Sequence, residues 1–215
     1  MNEDIINNPE KVTLKNKFIN FYNRNKKIIY FALSFLLIIV LAMVIYSEIK
    51  TRKEISMSEL YVDAKMHIKN DENDKALKIL NNLITSNHST YSVLSLFIII
   101  NENLIDDDIK IISMFNELIE RGDLEEEIKN LLIFKKALIQ SDTVEESTLL
   151  NTLKPLINKE TVWKPHALLL IGDYFVYKKQ YLKARDFYTK ILSLINIDSE
   201  FHKQARSRLA LIINE

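Results

Sequence analysis

Residues 28–46, IIYFALSFLLIIVLAMVIY, hold no charged side chain, and no other stretch constrains the chain as strongly. As a helix rising about 1.5 Å per residue, these nineteen residues extend roughly 28 Å, enough to cross the hydrocarbon layer of a bilayer. The stretch is apolar on every face, so it offers no side that a water-soluble core could leave in solvent. It predicts one transmembrane helix. It also divides the chain into a basic tail over 1–27, the span over 28–46, a juxtamembrane linker over 47–53 and a domain over 54–215.

Charge beside the span sets its expected direction. Upstream lie Lys11, Lys15, Lys17, Arg24, Lys26 and Lys27; downstream lie Lys50, Arg52, Lys53 and Lys65. Basic residues are retained on the cytoplasmic side, which favours a cytoplasmic N-terminus and an exported domain. A cleaved signal peptide fits less well, because its apolar core runs only about 7–15 residues. Nor does the exit, Tyr46-Ser47-Glu48-Ile49-Lys50, offer a small-x-small cleavage pattern. In the tail, Phe18, Phe21 and Tyr22 share one helical face among lysines, as suits a segment lying on an anionic leaflet. A partner-binding motif is the alternative there.

The remainder reads as all-α. Two glycines and three prolines in 215 residues are too few for hairpin-rich sheets or glycine-rich nucleotide loops. The absence of cysteine excludes disulfides, thiolate nucleophiles and Cys-based metal sites. Residues 54–215 carry 20 Lys/Arg against 25 Asp/Glu, so the domain lacks the concentrated positive surface that nucleic acid requires.

Helical patterns fall at about 54–69, 73–86, 89–101, 107–120, 124–140, 145–157, 163–178, 181–195 and 199–213. The separators are short: Asn70-Asp71-Glu72-Asn73, Ser86-Asn87-His88, Arg121-Gly122-Asp123 and Ile197-Asp198-Ser199. Such loops pair neighbouring helices antiparallel, and their Asn, Asp and Ser residues suit helix caps. Ala76–Ile84 superposes on Ile111–Ile119 at an offset of 35, and Lys154-Pro155-Leu156-Ile157 and Thr189-Lys190-Ile191-Leu192 follow at 38 and 35. A two-helix period near 34–38 residues is the mark of a helical solenoid. Its clearest unit pairs Gly172 with Ala184 as a small contact ringed by tyrosines, Tyr188 among them; Ala64 and Ala76 repeat that spacing. The middle units have lost it, with Ile111 at the position of the small residue, and 199–213 reads as a closing cap.

Little in this pattern suggests chemistry. His67, His88, His166 and His202 are scattered, with no paired metal-ligand spacing. Asp106-Asp107-Asp108 and Glu125-Glu126-Glu127 sit where helices begin and read as caps. No nucleophile–base set, phosphate loop or calcium loop is present, so the sequence predicts no catalytic residue, metal or cofactor. Trp163-Lys164-Pro165-His166 fits a helix start, with Trp163 covering the end of the apolar stripe. Tyr177-Lys178-Lys179-Gln180-Tyr181, continuing through Lys183 and Arg185, mixes rings and cations. It reads either as the wet turn of a helix pair or as a surface for an acidic partner or anionic lipid.

Ser58–Ile84, Tyr91–Phe97, Val162–Leu192 and Gln204–Ile212, set in this architecture, resemble the bacterial tetratricopeptide-like membrane proteins of the ancillary translocon subunit and cell-division coordinator type. The resemblance spans roughly residues 15–215 and is strongest toward the proteobacterial branch. It implies a single-pass inner-membrane protein with a periplasmic repeat domain. It also implies association with the protein-translocation channel and with a membrane-anchored periplasmic chaperone or isomerase, in aid of exported polypeptides. What carries over by position is structural: Ala64, Ala76, Gly172 and Ala184 at small contacts, and Tyr91, Trp163 and Arg206 at family-like places. Repeats two and three depart from the pattern, which puts an inherited binding groove in doubt.

The expected function is therefore that of a tethered, non-catalytic surface for proteins, with Tyr91, Trp163, Tyr177, Lys178, Lys179 and Tyr181 as candidate partner contacts. A scaffold for envelope or division complexes is the alternative.

Overall fold

The computed structural model describes residues 9–86, 88–121 and 124–212, with side chains from residue 16 onward. Asn87, Gly122 and Asp123, assigned above to turns, lie outside the described residues, as do the first eight residues and 213–215. Among the described residues every regular element is a helix: α1 (Pro9–Lys69), α2 (Asn73–Ile84), α3 (Ser89–Asn101), α4 (Asp108–Glu120), α5 (Glu126–Thr143), α6 (Glu146–Asn158), α7 (Lys164–Tyr177), α8 (Tyr181–Leu192) and α9 (Ser199–Ile212). The chain divides into two compact units, Met1–Ser56 and Met57–Glu215.

In the first unit, α1 is helical through residues 47–53, the stretch assigned above to a juxtamembrane linker. Nothing there breaks a helix: Ser47–Lys53 contains neither Gly nor Pro. Arg52 pairs with Glu48 one turn earlier at 2.9 Å, an i,i+4 contact that supports the helix. Residues 30–46 are exposed throughout, and the protein buries none of the most apolar window of α1. So much bare apolar surface is unstable in water and matches a hydrocarbon surrounding, which makes α1 a candidate membrane span.

The second unit is a run of antiparallel helix pairs, α3 with α4, α5 with α6 and α7 with α8; the final turns of α1 precede α2, and α9 closes the series. Its interior falls into two clusters. The first gathers Ala64, Leu80, Leu83, Leu96, Ile99, Phe115, Leu118 and Leu132; the second gathers Ala137, Leu149, Leu153, Leu156, Ala167, Leu168, Phe175, Ala184, Tyr188 and Ile191. Helix α5 belongs to both, through Leu132 on one side and Ile133 and Ala137 on the other. Each pair thus completes its core against its neighbours, as in a solenoid.

Helices α7 and α8 pack most extensively, α3 and α4 far less. The first of these pairs buries Gly172 and Ala184; the second buries Ile111.

Three of the turns share one backbone form. Asp71, Asn103 and Lys179 adopt φ of 59°, 49° and 57°, in the left-handed region. After each, an amide reaches back five residues: Glu72 to His67 O at 2.9 Å, Leu104 to Ile99 O at 2.9 Å and Gln180 to Phe175 O at 2.8 Å. This closure satisfies helix-end carbonyls that would otherwise lack partners. The second pair, nearly unrecognisable by side chains, has kept its turn.

Candidate interaction surface

A groove of about 400 Å³ opens between α3 and α5, the first helices of two successive pairs. Ser89, Thr90, Val93, Leu94 and Phe97 form one wall; Leu124, Glu125, Ile128 and Leu131 form the other. The two helices turn other side chains inward, where Leu96, Ile99 and Leu132 are fully buried. That leaves Leu94 exposed and Phe97, Ile128 and Leu131 half-buried at the groove, with Thr90 and Glu125 as exposed polar residues beside them. Such a lining excludes water from an apolar side chain and has two polar groups at its edge to orient a backbone.

Sequence reasoning missed this groove, although a signal was present. Helix α3 reads STYSVLSLFIIIN and is apolar on more than one face, more than a helix with a single core contact needs.

The six candidate partner residues do not form one surface. Tyr91 is half-buried, its ring centroid 5.7 Å from that of Tyr61 and 5.0 Å from that of His88. Trp163 is held by packing: its ring lies 5.6 Å from Phe134 and 5.4 Å from His166, and its Nε1 donates to Glu127 Oε2 at 3.1 Å. His166 meets Phe201 edge-on at 4.7 Å, completing a four-ring cluster across α5, α7 and α9, and burial lowers its pKa. Tyr177, Lys178 and Lys179 stand exposed at the turn between α7 and α8, while Tyr181 is half-buried against the second cluster. Arg206 is exposed on α9.

The residues assigned to small contacts are all buried: Ala64, Ala76 and Ala184 show no exposure, and Tyr188 is likewise enclosed. The three atoms nearest to a methyl built on Gly172 all belong to the Tyr188 ring, so Gly172 makes room for that aromatic side chain.

The acidic runs behave differently from one another. Asp107 caps α4, accepting from the amides of Ile109 at 3.0 Å and Lys110 at 3.2 Å. Glu125 makes no side-chain cap to α5, and its two neighbours reach across to other helices instead. Glu126 takes Lys159 at 2.9 Å, which lowers the Glu126 pKa, and Glu127 takes Trp163. Both donors lie outside α5: Lys159 follows α6 and Trp163 precedes α7. Among the described residues, no group of three or more His, Asp or Glu side chains is placed to hold a metal ion.

Comparison with curated proteins and with solved structures gives no match. Residues 20–210, nearly the whole chain, match the tetratricopeptide repeat-like domain family. The recurrent turns, the core shared between successive pairs and this match agree, and the chain belongs to the tetratricopeptide repeat-like domain family.

Proposed function

We propose that this protein is a membrane-tethered interaction module, without catalytic activity, that receives apolar stretches of polypeptide in the groove between α3 and α5. The observation that carries this reading is the groove itself: apolar side chains of two successive first helices, left uncovered on a domain whose family typically serves as protein-interaction modules. A repeat surface of this kind binds by several weak contacts spread along an extended chain. Tethering through α1 raises the local concentration of membrane-bound partners, so weak contacts suffice.

In the proposed setting, the N-terminus is cytoplasmic, the repeat domain is periplasmic in a bacterial inner membrane, and the partners are the protein-translocation channel, a periplasmic chaperone or isomerase, and emerging exported polypeptides. The charge bias around residues 28–46 supports the direction, and the uncovered groove supports an unfolded client.

A photo-crosslinking side chain at Leu94, activated in native membranes, tests the proposal. Adducts with channel subunits or exported chains are expected from Leu94 and equally from a crosslinker placed at Thr90, the latter lost when Leu94→Asp is added. Adducts confined to division or cell-wall proteins would replace it with the scaffold reading, and no adducts from the groove would remove the groove from the function.

A further inference from the structure

The turn after α7 and the start of α8 break the charge balance of the domain. Residues 54–150 carry nine Lys/Arg against nineteen Asp/Glu, a net of −10; residues 151–215 carry eleven against six, a net of +5. Within 177–190 the cations Lys178, Lys179, Lys183, Arg185 and Lys190 face a single acidic residue, Asp186.

Three of the five cations are occupied. Lys178 lies over the rings of Tyr174 and Tyr177, and Lys190 lies 4.5 Å from the Phe187 centroid. Lys183 places Nζ 2.8 Å from both carboxylate oxygens of Glu146, which comes from α6. Lys179 and Arg185 have no ion pair or ring contact among the described residues, and both are exposed. These two border a cleft of about 430 Å³ whose apolar lining is Tyr181, Leu182 and Ile212. Leu182 is 76% exposed, and Leu211, next to the lining on α9, is 74% exposed.

We propose that this cleft docks an acidic segment of a partner protein, one apolar side chain flanked by Asp or Glu. Charge sets the sign of the occupant: two unpaired cations on an otherwise acidic domain repel basic segments and attract carboxylates. Shape sets its class. A concave site with an apolar floor takes a side chain, whereas a lipid surface would rest on protruding groups and leave the cleft unfilled. Glu146 shows the mode of contact, since a carboxylate from outside the hairpin already brings both oxygens to Lys183. The site uses the turn after α7, the first turns of α8 and the end of α9, and shares no residue with the groove between α3 and α5.

The test uses the full chain in phosphatidylcholine nanodiscs and a labelled twelve-residue peptide of alternating Asp and Leu, followed by fluorescence anisotropy. Binding is expected to weaken at least tenfold between low and high salt, and at least tenfold in Lys179→Gly/Arg185→Ala. Lys179→Gly removes a cation while relieving a left-handed backbone, so an unchanged or raised melting temperature separates lost binding from lost folding. Leu94→Asp, which disables the groove, is expected to leave peptide binding intact. Equal binding of a Lys–Leu peptide would overturn the proposal, as would peptide binding lost with Leu94→Asp alone. Capture of phosphatidylglycerol vesicles without peptide binding would assign the patch to lipid. Self-association abolished by Lys179→Gly/Arg185→Ala would assign it to a second copy of the chain. Either result overturns an acidic partner segment.

Discussion

Gly172 on α7 and Tyr188 on α8 share one space: a methyl at Gly172 would lie 2.8 Å from Tyr188 Cδ1 and Cζ and closer still to Cε1. With the ring seated there, the Tyr188 hydroxyl donates to Asp173 Oδ1 at 2.7 Å. The same carboxylate accepts from Arg208 of α9 through Nε at 2.6 Å and Nη2 at 3.1 Å. Burial, reinforced by the bond to Asp173, pushes the Tyr188 phenol well above its usual range, so it stays a donor at any working pH. One missing side chain thus permits an aromatic contact, and that contact positions the carboxylate that ties down the closing helix.

Gly172→Ala should destabilise the domain by about 1–3 kcal/mol, because a fully buried ring has nowhere to move. Urea unfolding of a double-mutant cycle checks the cause. In a Tyr188→Leu background the added methyl should cost less than half as much, and strict additivity would show that Gly172 acts through something else.

Arg208→Ala should have a small global effect, at most about 1 kcal/mol, since the pair with Asp173 is partly open to solvent. Its effect should be local. Amide exchange is expected to quicken in α9 and leave α2 to α4 unchanged; uniform acceleration would contradict the solenoid arrangement.

The half-buried His166 ring among Phe134, Trp163 and Phe201 predicts a pH effect. Burial lowers its folded pKa below the ordinary 6.5, so on acidification the unfolded chain takes up the proton first. The stability it contributes is complete above about pH 6.5 and is lost as pH falls through the lowered folded value. Melting temperature should decline from pH 7 toward pH 5, and His166→Gln should flatten that decline. Parallel curves for the two proteins would rule His166 out as the source. The lowered carboxylate of Glu126 acts in a separate window, below its ordinary 4.5.

Ile111→Ala tests whether the loose second pair can be tightened by restoring the small residue. It should instead cost about 2–4 kcal/mol, since the side chain is buried and its loss leaves a cavity in the first cluster. A neutral result would mean that α3 and α4 close over the gap.

Because the chain has no cysteine, Ser56→Cys gives a single reporter of orientation. Labelling by a membrane-impermeant maleimide from the periplasmic face is expected; labelling only from the cytoplasmic face would reverse the proposed direction of α1.

Much of the fold was legible in local pattern. Helices α3 and α4 fall within a residue of their sequence-based limits, because His88 and Asp107 mark their starts and apolar spacing marks their faces. The linker over residues 47–53 is part of one continuous helix, because a change of composition does not end a helix that lacks Gly or Pro. The relationship between the repeats was half legible. Ala64 and Ala76 against Gly172 and Ala184 could be matched by size, but Lys179 has none of the left-handed tolerance of Asp71 and Asn103, so the equivalence of the three turns shows only in the backbone.

By itself the sequence determined an all-helical chain with one apolar segment able to span a bilayer and a two-helix period behind it. These properties rest on charge, apolar spacing and chain-breaking residues, which act within a turn or two of where they stand. The tertiary structure decided which helices leave a groove, that the Tyr188 ring lies over Gly172, and which of the clustered cations meets a carboxylate. Each of those depends on residues thirty or more positions apart, or on opposite helices of a pair, coming into one place, and only packing sets which side chain arrives there first.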